Sequence, residues 1–526
     1  MTKRFEFTVD RRGFIKGVGA AASLPIVTGA MLPRLAMAQK RGGVLRASLL
    51  GFGVVNTLDP QKAALNSDFW TLSTAFNALV KFDADMKIVG DLAESWSNPK
   101  PTTLQFKLRK GVKFHDDTEF TAEDVKYTLD RVRTDANGSP NRAKFFAIDQ
   151  VDVVSKHEVR ITTKEPYTPL LAFLTNTTTG SQIISSRALA KMGEQAFSRA
   201  PVGTGAFKVV DWKQGEKIVF AAHKNYFEKG LPYLDGVEII LIPEETSGIT
   251  AILGNQIDIA STAPFADVQK LEKTPGIVVK KSPGLNIRFT AMNLTKPPFN
   301  DVHLRRALSM AINREAIVDA VLFGEGRPMF GPIPSAIGWA HDPNRSDLTK
   351  FNPERARAEM AKGQAKPGLE IKVQTWGAGW WKRWTEIFCA QVNEVLGVRF
   401  SPEVLDANVA FSNFRTNNIQ AQNTGWIGRV EAEEYAGALF HSKGERNFGG
   451  YANPEVDKLI EASRREFNQA KRAELLKKMS AIVVEEMPIV FAINNNAHNM
   501  WRENVKGFAH VPMQSFGGQF PPVSLG

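Results

Sequence analysis

A chain of 526 residues is too long for one ordinary domain, so two or more lobes are implied. With 43% hydrophobic and 23% charged residues, it has the make-up of a folded protein whose cores need no metal or disulfide staple. A single cysteine, Cys389, excludes an internal disulfide, and the formal net charge of +11 is too scattered to build a nucleic-acid face.

The first predicted element is a leader. Arg11-Arg12-Gly13-Phe14-Ile15-Lys16 precedes a charge-free stretch from Gly17 to Pro33, then Ala36-Met37-Ala38, a small-x-small cleavage site. This is a signal peptide of twin-arginine pattern, with Asp10 where Ser or Thr is usual. The apolar part is short and broken by Pro25, which disfavours a membrane anchor. No cysteine follows the site, so no lipid anchor is expected. The exported chain then begins near Gln39, after cleavage at Ala38, and is free in the periplasm. The leader takes with it Lys3, Arg4, Arg11, Arg12, Lys16 and Arg34 against Glu6 and Asp10, which leaves 60 basic and 53 acidic residues. That mild excess fits a solvated surface.

Beyond the leader, strand and helix patterns alternate. Leu104–Leu108 alternates with period two. Thr121-Ala122-Glu123-Asp124 opens a helix, with Thr121 accepting from first-turn amides and Val125, Leu129 and Val132 on one face. Val237–Ile242 is a buried strand, and 278–293 holds two extended stretches broken at Pro283-Gly284. Cys389 falls in a helix over Glu386–Val395, where a buried, inert thiol is expected. Asn453-Pro454 caps a helix whose stripe is Val456, Leu459, Ile460 and Phe467. Leu475, Leu476, Met479, Ile482 and Val483 form the next stripe, Pro488 ends it, and Ile489–Ile493 reads as a strand. The longest apolar run, Ala481–Ile493, is interrupted by Glu485, Glu486 and Pro488, so it does not span a membrane. The class is α/β with several sheets.

A series of short motifs then becomes specific. In order they are Leu58-Asp59-Pro60; Leu92-Ala93-Glu94-Ser95-Trp96; Phe106 to Asp117, running into Phe120-Thr121-Ala122-Glu123-Asp124-Val125; and Pro201-Val202-Gly203-Thr204-Gly205-Ala206-Phe207, with Trp212 and Gly215. Pro298-Phe299-Asn300-Asp301, Leu304-Arg305-Arg306-Ala307, Gly425-Trp426 and Tyr451-Ala452-Asn453-Pro454-Glu455-Val456-Asp457 follow. Taken in this order, the set resembles the family 5 extracellular solute-binding proteins, which include dipeptide, oligopeptide and nickel receptors of ABC importers. The resemblance covers essentially the whole chain after the leader.

That resemblance implies a two-lobed periplasmic-binding-protein fold of class II, large cluster C type, with an extra subdomain in lobe I. Lobe I is placed at 39–283 and 491–526, with the subdomain near 81–200, and lobe II at 284–490. The crossovers are placed near Gly284–Asn286 and Ile489–Ala492. A small solute, a peptide or a peptide-like anion, is captured between the lobes and delivered to the permease by a monomeric receptor. No catalytic residue, cofactor or metal is implied.

The same resemblance points to cleft residues. In peptide receptors the stretch matching Gly425–Arg429 carries an aspartate for the peptide ammonium; here Arg429 stands in its place. Arg429 either holds an anionic or hydroxyl-rich part of the ligand through its planar fork or pairs with Glu431, Glu433 or Glu434. Trp426 is a cleft residue by family position. Trp376 and Trp380, around Gly377 and Gly379, are placed at the cleft, and Trp384 in a helix core. Asn286 and Arg288 share a face near the crossover, where either a cleft or a hinge role suits them, and Asn56 is a candidate from lobe I.

Three rival readings remain. A receptor for a chelated metal would use His441 first, although no two of the eight histidines lie three to five residues apart. An oligosaccharide or opine-like conjugate fits the same fold. An exported enzyme is the reading from another class, but no zinc-protease pair, Gly-x-Ser-x-Gly elbow or phosphate loop is present.

Overall fold

The computed structural model describes residues 40–526 except 178, 345, 378, 428, 429, 514, 515 and 517. The leader and Arg429 lie outside the described residues. Among the described residues, the strands assemble into a mixed sheet of 11, a four-stranded antiparallel sheet and two small pairs.

The large sheet has two ends. At one, Val44–Leu50 runs parallel to Gly236–Ile242 and Ile259–Ala260, and Lys217–Ala222 and Phe207–Lys213 continue outward. At the other, Glu370–Trp376 runs parallel to Arg399–Leu405 and Ala421–Ile427. Two long antiparallel strands, Ile277–Met292 and Ile489–Arg502, join the ends. Their ladder shifts register between Pro283 and Ile287, beside Asn494–Asn496. The predicted break at Pro283-Gly284 is this irregularity. Proline gives no N–H to the ladder, and a Cβ on Gly284 would lie 2.2 Å from the Asn495 carbonyl oxygen. The predicted strand Ile489–Ile493 continues to Arg502, because polar residues such as Asn494, Asn495, His498 and Asn499 are also buried in it.

Residues between Leu79 and Ile183 supply a separate core around the four-stranded sheet Ala93–Lys100, Thr103–Leu108, Glu158–Thr163 and Ile148–Ser155. At the far end of the large sheet, strand alternation sends side chains to two cores. Ile287, Phe289 and Ala291 face one; Met292, Val373 and Ala421 face the other. No helix among the described residues is long and apolar enough to cross a membrane.

The helix Ala122–Arg133 begins where expected, in a capping box in which the Asp124 side chain also accepts from the Thr121 N–H. One local prediction is corrected. Phe467 does not join the stripe of Val456, Leu459 and Ile460. The helix stops at Arg465, the backbone becomes extended at Glu466, and the Phe467 ring is half-exposed. The Asn453 cap is as predicted, accepting from Glu455 and Val456.

Most of the motifs prove to be fold residues. Asp59 accepts two bonds from buried Arg131, at 2.8 and 2.7 Å. A Cβ on Gly203 or Gly205 would lie 2.1 or 2.6 Å from the Ala75 carbonyl oxygen, so only glycine lets those segments touch. Arg305 donates to the carbonyls of Phe299, Glu486 and Met487, tying two helices together.

Candidate ligand-binding site

Four tryptophans meet where the strand Glu370–Trp376 turns into the helix Trp380–Leu396. Gly377 and Gly379 have φ of 72° and 76°, a left-handed turn that side chains resist, and they let the chain reverse sharply. Trp380 stacks on Trp381 with centroids 4.2 Å apart, and Trp376 leans on Trp381 at 4.6 Å. Trp384, one helical turn on, is fully buried in the core, whereas the other three are half-buried. Phe265, from the segment before the first long strand, stands edge-on to Trp380 at 6.2 Å.

Arg288 completes the group. It lies on the long strand directly across from Gly425, and its guanidinium carbon sits 5.4 and 5.0 Å from the Trp380 and Trp381 rings. A Cβ on residue 425 would fall 2.5 Å from Arg288 Nη1, so the glycine makes room for the arginine. Arg288 is 8% exposed. Its nearest acceptor is the Ile287 carbonyl, with Nη1 donating over a long 3.4 Å, and Nε has no partner among the described residues. Burial pushes its pKa down to about 10, which leaves it charged at neutral pH. Contact with tryptophan faces offsets part of the desolvation, but a guanidinium has five donors to satisfy.

The other sequence candidates are spread out. Trp426 pairs with Ile287, one residue from Gly425, and alternation sends it to the opposite face, beneath Arg446 at 5.1 Å. The structure therefore brings Trp376 and Trp380 together but does not bring Trp426 to them. Asn286 is half-buried, and its carbonyl accepts from Asn494. Asn56 is exposed, and its backbone N–H donates to Asp68 at 2.7 Å. Of the acids weighed as partners for Arg429, Glu431 holds Arg472 and Glu433 holds Arg464. Sequence reasoning missed Phe265 and Arg446, which come from distant segments. The signal for Arg288 was a lone arginine in a buried strand run.

A cavity of about 510 Å³ opens elsewhere, between the residues around the four-stranded sheet and those following Trp426. Thr102, Thr103, Tyr167 and Leu171 line one wall, and Trp339, Val430, Phe467 and the Glu431–Arg472 pair line the other. Thr168 and Glu165 bind Arg464 and Arg465 across it, at 2.8 and 2.6 Å.

Buried histidines elsewhere serve the fold. His498 on the second long strand bonds Glu325, and His510 bridges Asn499 and Ser282. His441 is engaged by Glu461 and by the Lys443 N–H. Among the described residues, no three His, Cys, Asp or Glu side chains are gathered so as to hold a metal ion. Burial pushes the Cys389 thiol up to about 12, so it stays protonated and inert.

Comparison with known proteins puts this geometry in context. The profile of the bacterial extracellular solute-binding proteins, family 5 Middle, matches residues 87–447. A glutathione-binding protein, GsiB, of Escherichia coli O6:K15:H31 is 26% identical over 473 residues, covering 88% of this chain and 91% of its own. The periplasmic binding protein DppA of Helicobacter pylori, solved with the peptide STSA, superposes with a TM-score of 0.82 at 23% identity over 92% of this chain and 98% of its own. MoaA of A. tumefaciens R10, solved with mannopinic acid, does so with a TM-score of 0.79 at 25% identity over 92% and 99%.

Proposed function

The chain belongs to the family 5 bacterial extracellular solute-binding proteins, and from that membership we propose that it captures a small, anionic, peptide-like solute and hands it to the permease of an ATP-driven importer. Its fold is the two-lobed periplasmic-binding-protein fold. In this reading the lobes are 39–283 with 491–526, carrying an extra subdomain near 81–200, and 284–490. The pair of long strands that links the two ends of the large sheet carries the reading. A ligand touched by both halves stabilises the closed arrangement by its differential affinity for the two states. Closure needs no covalent step, so the protein acts as a monomeric receptor rather than an enzyme. Export through the twin-arginine leader, with cleavage near Ala38, delivers it to the periplasm.

Trp376, Trp380, Asn286 and Arg429 line the cleft in this reading, with Trp426 and Asn56 at its edges. The anionic preference draws support from two relatives whose ligands carry carboxylates, glutathione and mannopinic acid. Arg429→Asp should reverse any preference for anions in a binding assay. The decisive measurement is X-ray scattering of the exported protein, empty and saturated with a solute that raises its melting temperature. A smaller radius of gyration on saturation is expected, and superimposable profiles would end the proposal.

A further inference from the structure

We propose that Arg288 is the anchor for a carboxylate of the captured solute, with the first turn of the helix Trp380–Leu396 as its second contact. The assignment deepens the receptor reading and rests on it. Arg288 is more than nine-tenths buried, yet no carboxylate lies within ion-pair distance among the described residues and its Nε is unbonded. A buried charge left with one long contact and no counter-ion costs roughly several kcal/mol, and it persists where a partner arrives from outside.

The helix supports the same assignment independently. Its first turn has no acidic residue and no side-chain cap; instead it carries Lys382 and Arg383. Helix N-termini are positive and usually gather acids, as Glu123 and Asp124 do in the helix Ala122–Arg133. Lys382 there pairs with Glu386 and Arg383 packs over Phe323, so it is the uncapped helix end, beside a guanidinium with one long contact, that attracts an anion. Trp380 and Trp381 lie at N1 and N2 of this turn and, stacked on each other, both touch the guanidinium, so the two features point to one place.

Charge balance selects the class of anion. One buried guanidinium neutralises one negative charge, and its planar fork matches a carboxylate. The flanking indole faces suit the apolar carbons that adjoin a carboxylate in an amino-acid-derived solute.

The test uses the exported protein and its Arg288→Met, Arg288→Lys and Gly425→Ala variants. Probes are glutathione, its diethyl ester, succinate and succinamide, read by thermal shift and calorimetry. For the wild type, the acids should raise the melting temperature and the ester and amide should not. Arg288→Met should weaken acid binding about a hundredfold, while its ligand-free melting temperature stays level or rises, because only the long 3.4 Å bond to the Ile287 carbonyl is lost. Arg288→Lys keeps the charge without the fork and should recover only part of the affinity. Gly425→Ala displaces the guanidinium without removing charge and should also weaken acid binding, with the circular dichroism spectrum retained. Acid binding unchanged in Arg288→Met, a marked fall in its ligand-free melting temperature, or no acid response in the wild type would each overturn the anchor. If a neutral solute closes both wild type and Arg288→Met in scattering, the anchor falls and the receptor stands. If acid binding is lost in the variant but the wild type never closes, the anchor stands and the receptor reading falls.

Discussion

Arg288 and Arg314 both bury their guanidinium groups, and their surroundings are opposites. Arg314, 1% exposed, donates to the carbonyls of Phe491, Ser309 and Thr349 and to the Ser309 hydroxyl, at 2.6 to 3.0 Å. Arg288, 8% exposed, has tryptophan faces and one long contact. Arg314 ties a helix, a strand and a turn into one body, so its burial is compensated from within. Arg288 is held in place with its donors unspent. Burial alone does not distinguish a structural cation from a binding one; the state of its donors does.

The comparison is broken most severely at Arg314. Arg314→Met leaves three buried carbonyls and a hydroxyl without their donor and should cost about 3–5 kcal/mol in denaturant unfolding. An equally large loss in ligand-free Arg288→Met would erase the distinction. The tryptophans give a second form of the contrast. Trp384→Ala, in the core, should cost about 3–5 kcal/mol. Trp381→Ala, half-buried beside Arg288, should cost less stability and show itself in ligand affinity. Gly425→Ala forces a Cβ against Arg288 and should cost about 1–3 kcal/mol, the smallest of the structural effects.

Acidity sharpens the contrast by sparing both arginines. Arg288 does not titrate below neutrality, so an acid limb in stability must come from other groups. Burial, with His498 alongside, holds His510 down to about 4, against 6.5 for the free side chain. As pH falls below 6.5 the unfolded chain takes up that proton first, so this contribution to stability drains away until about pH 4. His510→Gln should flatten the melting-temperature curve across that window and leave the neutral plateau in place.

Local structure was largely legible. The Asn453 cap, the stop at Pro488 and the burial of Trp384 each follow from spacing within one helical turn. The crossover irregularity was legible in Pro283-Gly284, because proline cannot give a ladder bond wherever it sits. What escaped is long-range. Gly425 reads as half of a Gly-Trp motif, and only the register placing it across from Arg288 shows why a side chain is forbidden there. Trp426 follows the same register to the other face. Phe265 reaches Trp380 across more than a hundred residues of chain, and no local pattern encodes that contact. Phe467 was misplaced for a local reason: the helix ends two residues earlier than its apolar spacing suggests.

The two long strands have a mechanical consequence. A double ribbon bonded edge to edge resists sliding, because any slip of one strand past the other would break the whole ladder at once. It resists bending far less, and least where the ladder shifts register, between Pro283 and Ile287 and between Arg288 and Phe289. In the receptor reading such a ribbon acts as a leaf spring, softest at those shifts, so the lobes swing rather than slide.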